Sequence, residues 1–257
     1  MSALKEVYNY REMIFMLVRR DLRGKYKRSV LGFAWTFVNP LLQLLVYTLV
    51  FSVVMRAGIE KYYLFLFVAL IPWMAMATSV TRGAVSITGE TNLVTKIHFP
   101  RQVLPITAVT TSFVNMLLCM IVVLVVCLFS IGLNFSVLWY LIPIVLIEYI
   151  LALGIAFIVS SLTVYFRDLE HILGIFTMAW QFLSPVMYSA EMVPESLRGL
   201  FMLNPMTPVL IAYRDILYYK TAPQMTTMAS SLAMGILFLV MGWLLFGKLE
   251  KRFAEEL

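Results

Sequence analysis

Val103-Leu-Pro-Ile-Thr-Ala-Val-Thr-Thr-Ser-Phe-Val-Asn-Met-Leu-Leu-Cys-Met-Ile-Val-Val-Leu-Val-Val-Cys-Leu-Phe-Ser-Ile131 carries no Asp, Glu, Lys, Arg or His. A helix rising about 1.5 Å per residue over this length outruns the ~30 Å hydrocarbon core of a bilayer, so the stretch predicts a transmembrane helix. Working outward, comparable apolar runs lie at 33–55 and 62–82 on the N-terminal side, and at 138–165, 171–189 and 228–247 on the other. The expected fold is all-α and polytopic, with six spans. Composition agrees: of 257 residues 61% are hydrophobic and 13% charged, with a mean hydropathy of +0.89, which leaves no room for a large soluble domain. Intrinsic disorder, a disulfide scaffold and a basic nucleic-acid module are excluded, since the two cysteines, Cys119 and Cys127, share one apolar run.

The net charge of +6 has a topological source. Eight of the twenty basic residues fall before residue 30: Lys5, Arg11, Arg19, Arg20, Arg23, Lys25, Lys27 and Arg28. No apolar stretch of signal-peptide type precedes them, and the run at 29–55 is too long to be a cleavable segment, so the N-terminus is expected to be retained and cytoplasmic. Six spans then return the C-terminus to the cytoplasm. This topology puts fifteen basic residues inside, and five outside at Arg56, Lys61, Arg198, Arg214 and Lys220, the bias of the positive-inside rule.

Three segments are expected not to span. Over 5–23, Val7, Tyr10, Ile14 and Leu17 fall at helical spacing while Glu6, Glu12, Arg19, Arg20 and Arg23 keep to the other side, predicting an amphipathic helix along the inner membrane face or a plain basic lipid anchor. The inner loop at 89–101 is polar, ends in Phe99-Pro100-Arg101, and has the length for a short helix that Pro100 would stop. It reads equally as a docking element or a solvated connector. The outer connector at 190–225 holds Pro194, Pro205, Pro208 and Pro223 among apolar runs too short to span, and reads as re-entrant or interfacial helices.

Enzyme chemistry is sparse. Gly24-Lys25 is followed by Tyr26 and Gly247-Lys248 by Leu249, so neither completes a phosphate-cradling loop with its Ser or Thr. His98 and His171 are far apart, and no metal site is expected although Asp168 and Glu170 flank His171. Glu148 lies inside the fourth span, where a charge is costly; it faces a polar interior, pairs with another helix, or is protonated, and serves packing or transport. Phe33, Trp35, Phe37, Trp73, Phe176, Trp180 and Tyr188 recur along spans one, two and five. Such rings suit the C–H faces of sugars or ordinary helix packing, and spacing does not choose between the two.

Arg20-Asp-Leu-Arg-Gly-Lys-Tyr-Lys-Arg-Ser-Val-Leu-Gly-Phe-Ala-Trp35, leading to Asn39-Pro40, resembles the N-terminal segment of the membrane (permease) subunits of ABC polysaccharide exporters, which move O-antigen, teichoic acid or rhamnose-rich glycans. Ile71-Pro72-Trp73, Thr95-Lys-Ile-His-Phe-Pro-Arg101 with Leu104-Pro105, Tyr165-Phe-Arg-Asp168 and Asn204-Pro-Met-Thr-Pro208 agree in order. The resemblance spans essentially the whole chain.

That resemblance implies one transmembrane domain over 1–257, with an interface and gate segment at 1–29 and a six-span bundle at 30–257. It implies a homodimer in the bacterial cytoplasmic (inner) membrane with two copies of a separate ATP-binding subunit, which binds ATP and Mg; this chain is then no enzyme and carries no cofactor. It makes the loop at 89–101 the coupling helix, with Glu90, Lys96, His98, Arg101, Arg19, Arg20 and Asp21 facing the ATPase. Lys25, Lys27 and Arg28 become a gate attracting the pyrophosphate of an undecaprenyl-linked glycan, and residues 191–226 re-entrant helices capping the exit. Phe33, Trp35, Phe37, Trp73, Phe176, Trp180 and Tyr188 become channel-lining candidates. Two alternatives stand beside this reading: a related ABC exporter for drugs or small lipids, and a membrane-embedded transferase acting on lipid-linked sugars, for which the inner loops offer only isolated acids.

Overall fold

A computed structural model describes residues 3–24, 31–54 and 58–256, and the regular structure among them is helical. The amphipathic segment forms α1 (Ala3–Asn9) and α2 (Arg11–Gly24), which meet at Tyr10. Tyr10, Ile14 and Leu17 turn inward with Met13, as their spacing predicts, whereas Tyr8, Phe15 and Met16 remain exposed. α3 (Trp35–Thr48) follows a 3₁₀ turn at Gly32–Ala34 and continues as a π turn over Leu49–Val54. Then come α4 (Tyr62–Ala84), the short α5 (Thr91–Lys96), α6 (Val103–Ser130), α7 (Phe135–Leu138) and α8 (Leu141–Tyr165). α9 (Leu169–Phe182), α10 (Glu195–Met202), α11 (Met206–Arg214), α12 (Met225–Leu249) and α13 (Phe253–Glu256) complete the order.

Among the described residues five stretches are long and apolar enough to cross a membrane: Gly32–Phe51, Tyr62–Ala84, Val103–Ser130, Phe135–Tyr165 and Met225–Arg252. These match five of the six expected spans. The expected helix at 171–189 instead stops at Phe182, and the 14 residues of α9 reach only about 21 Å. Its stop has a local cause. Pro185 has no N–H to continue the ladder, and the Ser184 hydroxyl donates back to Trp180 O at 2.8 Å, satisfying a carbonyl at the helix end. α5 likewise ends before Pro100: Ile97 is already extended, so the expected proline stop falls three residues too late.

α4 is the central helix, with Leu64 through Ile71 buried, and it packs on α3, α6, α8, α9 and α11. The closest pairing joins α8 to α12, where glycines let the backbones touch: a Cβ on Gly242 would stand 2.2 Å from Gly154 O, and one on Gly154 2.4 Å from Leu239 N. Small residues at helix crossings permit this approach in membranes. The Ala152 and Ala156 pair, the small-residue spacing visible in sequence, is also turned into the chain, with Ala156 against Gly83 of α4.

The two ends of the bundle are distinct. At one, Lys61 and Lys220 adopt left-handed backbone and their ammonium groups donate to Ser130 O (2.6 Å) and Ile131 O (3.0 Å), carbonyls that the C-terminus of α6 leaves unpaired. At the other, Leu17 of α2, Val94 of α5, Phe99, Phe246 of α12 and Phe253 of α13 share one buried cluster. Both ends of the described chain therefore lie on the same side of the bundle.

Candidate functional site

The end that gathers α2, α5 and α13 carries a network of ions. Arg20 reaches both Asp21 (3.1 Å) and Glu90 (2.5 Å), and Arg82 reaches the other Asp21 oxygen at 3.3 Å. Burial draws the Arg20 guanidinium down, but hydrogen bonding and charge from Glu90, and then from Asp21, outweigh it and hold its proton affinity above the ordinary arginine value. A second tie runs from the Tyr10 hydroxyl to His98 O at 3.4 Å. The segment on either side of α5 is thus held to α1–α2 near both of its ends.

The C-terminal side of that segment is clamped too. Arg101 donates to Glu250 O, Gln102 Nε2 to Glu250 Oε1 at 3.1 Å, and the Tyr165 hydroxyl to Leu249 O at 3.0 Å. Lys96, His98, Arg101, Lys251 and Glu6 border an open cleft of about 500 Å³, and Arg19, Lys96 and His98 are exposed. Of the residues picked from sequence, Arg20, Asp21 and Glu90 come together, Arg101 joins the C-terminal segment, and Arg19, Lys96 and His98 remain at the surface. Arg82 and Glu250 were not picked. Lys25, Lys27 and Arg28 lie outside the described residues.

The aromatic candidates separate into two layers. Trp73 and Trp180 are 2% and 8% exposed and meet edge to face at 5.2 Å, with the Trp180 indole donating to Asn204 Oδ1 at 2.8 Å. These two rings pack inside the chain. Phe176 lies on Trp180 at 5.6 Å with half its surface open, Phe33 is similarly open and meets Phe37 at 5.6 Å, and Trp35 and Tyr188 are half-buried.

Glu148 is paired. Tyr213 of α11 donates its hydroxyl to Glu148 Oε2 at 2.7 Å, both side chains being fully buried, while Oε1 has no partner among the described residues. Beside it Arg214, counted from sequence among the outer basic residues, is 3% exposed. Its guanidinium donates to Val186 O (2.8 Å), Tyr188 O (3.0 Å) and Phe65 O (3.4 Å) and lies 3.6 Å from the Phe65 ring centre. Tyr213 and Arg214 thus lock α11 to α8, α4 and the 183–188 turn. Removing the hydroxyl with Tyr213→Phe leaves both carboxyl oxygens unpartnered and is expected to destabilise the chain by about 2–3 kcal/mol, read as a lower thermal unfolding temperature in detergent. Glu148→Gln retains an acceptor for Tyr213 and is expected to lose less; equal unfolding of Tyr213→Phe and wild type would show the bond to be idle.

The family model described as ABC-2 type transporter matches residues 12–218. The chain belongs to this family. ABC-2 relatives align over nearly the full length: the O-antigen export system permease protein RfbA of Myxococcus xanthus is 36% identical over 99% of this chain and 98% of its own. Two proteins of the same name from Klebsiella pneumoniae are 33% and 32% identical, covering 96% and 99% of this chain and 95% and 100% of theirs. The similarity to ABC polysaccharide export permeases seen in the leading segment and in four later motifs is therefore a family relationship. This ABC-2 chain is a multi-pass membrane protein. Its matched region contains α2 from Glu12 onward, α5 and the Tyr213-Arg214 lock; Glu250 lies beyond it.

Proposed function

We propose that this chain is the channel-forming membrane subunit of an ATP-driven exporter of lipid-linked polysaccharide of the O-antigen type. The carrying observation is the near-complete alignment with three permeases named for O-antigen export. ATP and Mg belong to a separate ATP-binding subunit, two copies of which pair with two copies of this chain in the bacterial cytoplasmic membrane. One transmembrane domain over 1–257 does this work.

Six crossings with both termini cytoplasmic remain our reading. Chain ends that share one side of the bundle need an even number of crossings, while the long apolar stretches among the described residues are five. α9 with the turn after it supplies the sixth, joining Tyr165, bonded to Leu249 at the inner end, to Met187, which accepts from Tyr62 at the outer end at 2.7 Å. α10 and α11 then start and finish outside as re-entrant helices. Phe33, Trp35, Phe37, Phe176 and Tyr188 line the path, backed by Trp73 and Trp180. Lys25, Lys27 and Arg28 attract the carrier pyrophosphate.

In the same reading α5 docks on the ATPase, and the Arg20–Glu90 pair transmits its movement to α2. A partly exposed pair contributes only about 0–1 kcal/mol to stability, so its effect belongs in coupling. Arg20→Glu or Glu90→Arg alone is expected to lower export severalfold without loss of protein, and the double exchange to recover it. Single variants exporting like wild type, or a double exchange as poor as either single, would remove this role. For the function itself, deleting the chromosomal copy is expected to strip polysaccharide from the cell surface and accumulate lipid-linked polymer inside, with restoration by a plasmid copy. Unchanged surface polymer in the deletion strain would overturn the proposal.

A further inference from the structure

We propose that the open cavity bordered by α10, α11 and the start of α12 is a binding site for a short stretch of sugar in the exported chain. This rests on the polysaccharide-export reading above. The cavity measures about 450 Å³ and is bordered by Glu191, Arg198, Phe201, Asp215, Tyr219 and Gln224, a size within the usual ligand-pocket range of roughly 300–1,000 Å³. Three elements bring most of these side chains. The 3₁₀ turn Ala190–Met192 brings Glu191, α10 brings Arg198 and Phe201, and the π turn Asp215–Tyr219 brings Asp215 and Tyr219.

The polar lining is unspent. Among the described residues the side chains of Glu191, Arg198, Asp215 and Gln224 make neither ion pair nor hydrogen bond. Arg214 also borders the cavity, yet its guanidinium is committed to three backbone carbonyls. The free charged and amide groups are thus two carboxylates, one guanidinium and one amide, beside the hydroxyls of Tyr219 and Thr227. That balance disfavours a phosphate, which two acids would repel, and among the described residues no three His, Cys, Asp or Glu side chains gather to hold a metal ion.

A neutral, hydroxyl-rich ring fits the same set. Each carboxylate accepts from a pair of neighbouring hydroxyls, while Arg198 and Gln224 donate to hydroxyl and ring oxygens. Phe201, which leans on Tyr188 at 6.0 Å, and Tyr219, half-exposed, add aromatic surface to the lining that suits the ring's C–H groups. Both acids lie on segments fixed to the buried lock, Asp215 directly after Arg214 and Glu191 shortly after the Tyr188 carbonyl that Arg214 holds.

The test uses the permease–ATPase complex purified in detergent and, as probe, polysaccharide released from the host's own surface glycan by mild acid and freed of lipid. Saturation-transfer NMR is expected to detect binding to wild type. Glu191→Gln and Arg198→Gln, both at exposed positions, and the near-isosteric Asp215→Asn are each expected to weaken it about fivefold or more, and inorganic pyrophosphate is expected not to compete. Equal affinity in all variants, or displacement by pyrophosphate, would overturn the site. In parallel, wild type is returned to the deletion strain: export restored with no polysaccharide binding in vitro overturns this inference alone, whereas no restoration overturns the export reading on which it rests.

Discussion

Gly242→Ala is expected to cost at least about 3 kcal/mol of stability, the upper end of ordinary overpacking penalties, and to reduce the yield of monodisperse protein sharply. The added methyl would stand 2.2 Å from Gly154 O, inside any permitted contact, and the obstacle is backbone rather than a side chain that can turn away. Helix propensity favours alanine over glycine by about 1 kcal/mol, so the steric term must win for the prediction to hold. Gly235→Ala on the same helix is the internal control. Its methyl would meet Ile147 O at 3.4 Å, and the change is expected to be near neutral. Thermal unfolding in detergent ranks the three proteins; Gly242→Ala unfolding with wild type would mean that α8 and α12 are not held at this separation.

Arg214→Lys is expected to be the second severe substitution, although it preserves charge. The planar guanidinium serves Phe65 O, Tyr188 O and Val186 O at once and lies against the Phe65 ring. An ammonium on a flexible stem cannot reproduce that fork, and leaving buried carbonyls unpaired costs about 1–3 kcal/mol for each group. A loss of about 3 kcal/mol and detachment of the 183–188 turn follow, read as a lower unfolding temperature and new protease cleavage near Tyr188. Export should fall with it, since α11 and the 183–188 turn lose their anchor. Wild-type unfolding and an unchanged cleavage pattern in Arg214→Lys would contradict this.

Arg214 also marks the limit of what sequence reveals here. Length and hydropathy expose a long span at once, which is why α4, α6, α8 and α12 fall within a few residues of expectation. Periodicity exposed the inward face of the α1–α2 segment, because Tyr10, Ile14 and Leu17 repeat at helical spacing. Glu148 stood out as a costly charge whose remedy was open, since a donor more than sixty residues away leaves no local pattern, and Arg214 looks like any loop cation when topology is counted by charge. The Arg20–Glu90 pair was visible as two candidates and hidden as a contact, while Arg82 and Glu250 sit in unremarkable helix ends whose neighbours only the fold supplies. Trp73 and Trp180 show the converse. Their spacing left sugar faces and helix packing open, and only the fold shows the two rings buried against each other edge to face.

The most direct test of the central claim is to purify the tagged chain from gently solubilised native membranes, identify what accompanies it, and assay ATP hydrolysis with and without lipid-linked glycan. A P-loop subunit recovered in equal amount, whose hydrolysis rises with the glycan, is the result this account predicts. The chain recovered without any ATPase, under conditions that keep other transporters whole, would contradict it.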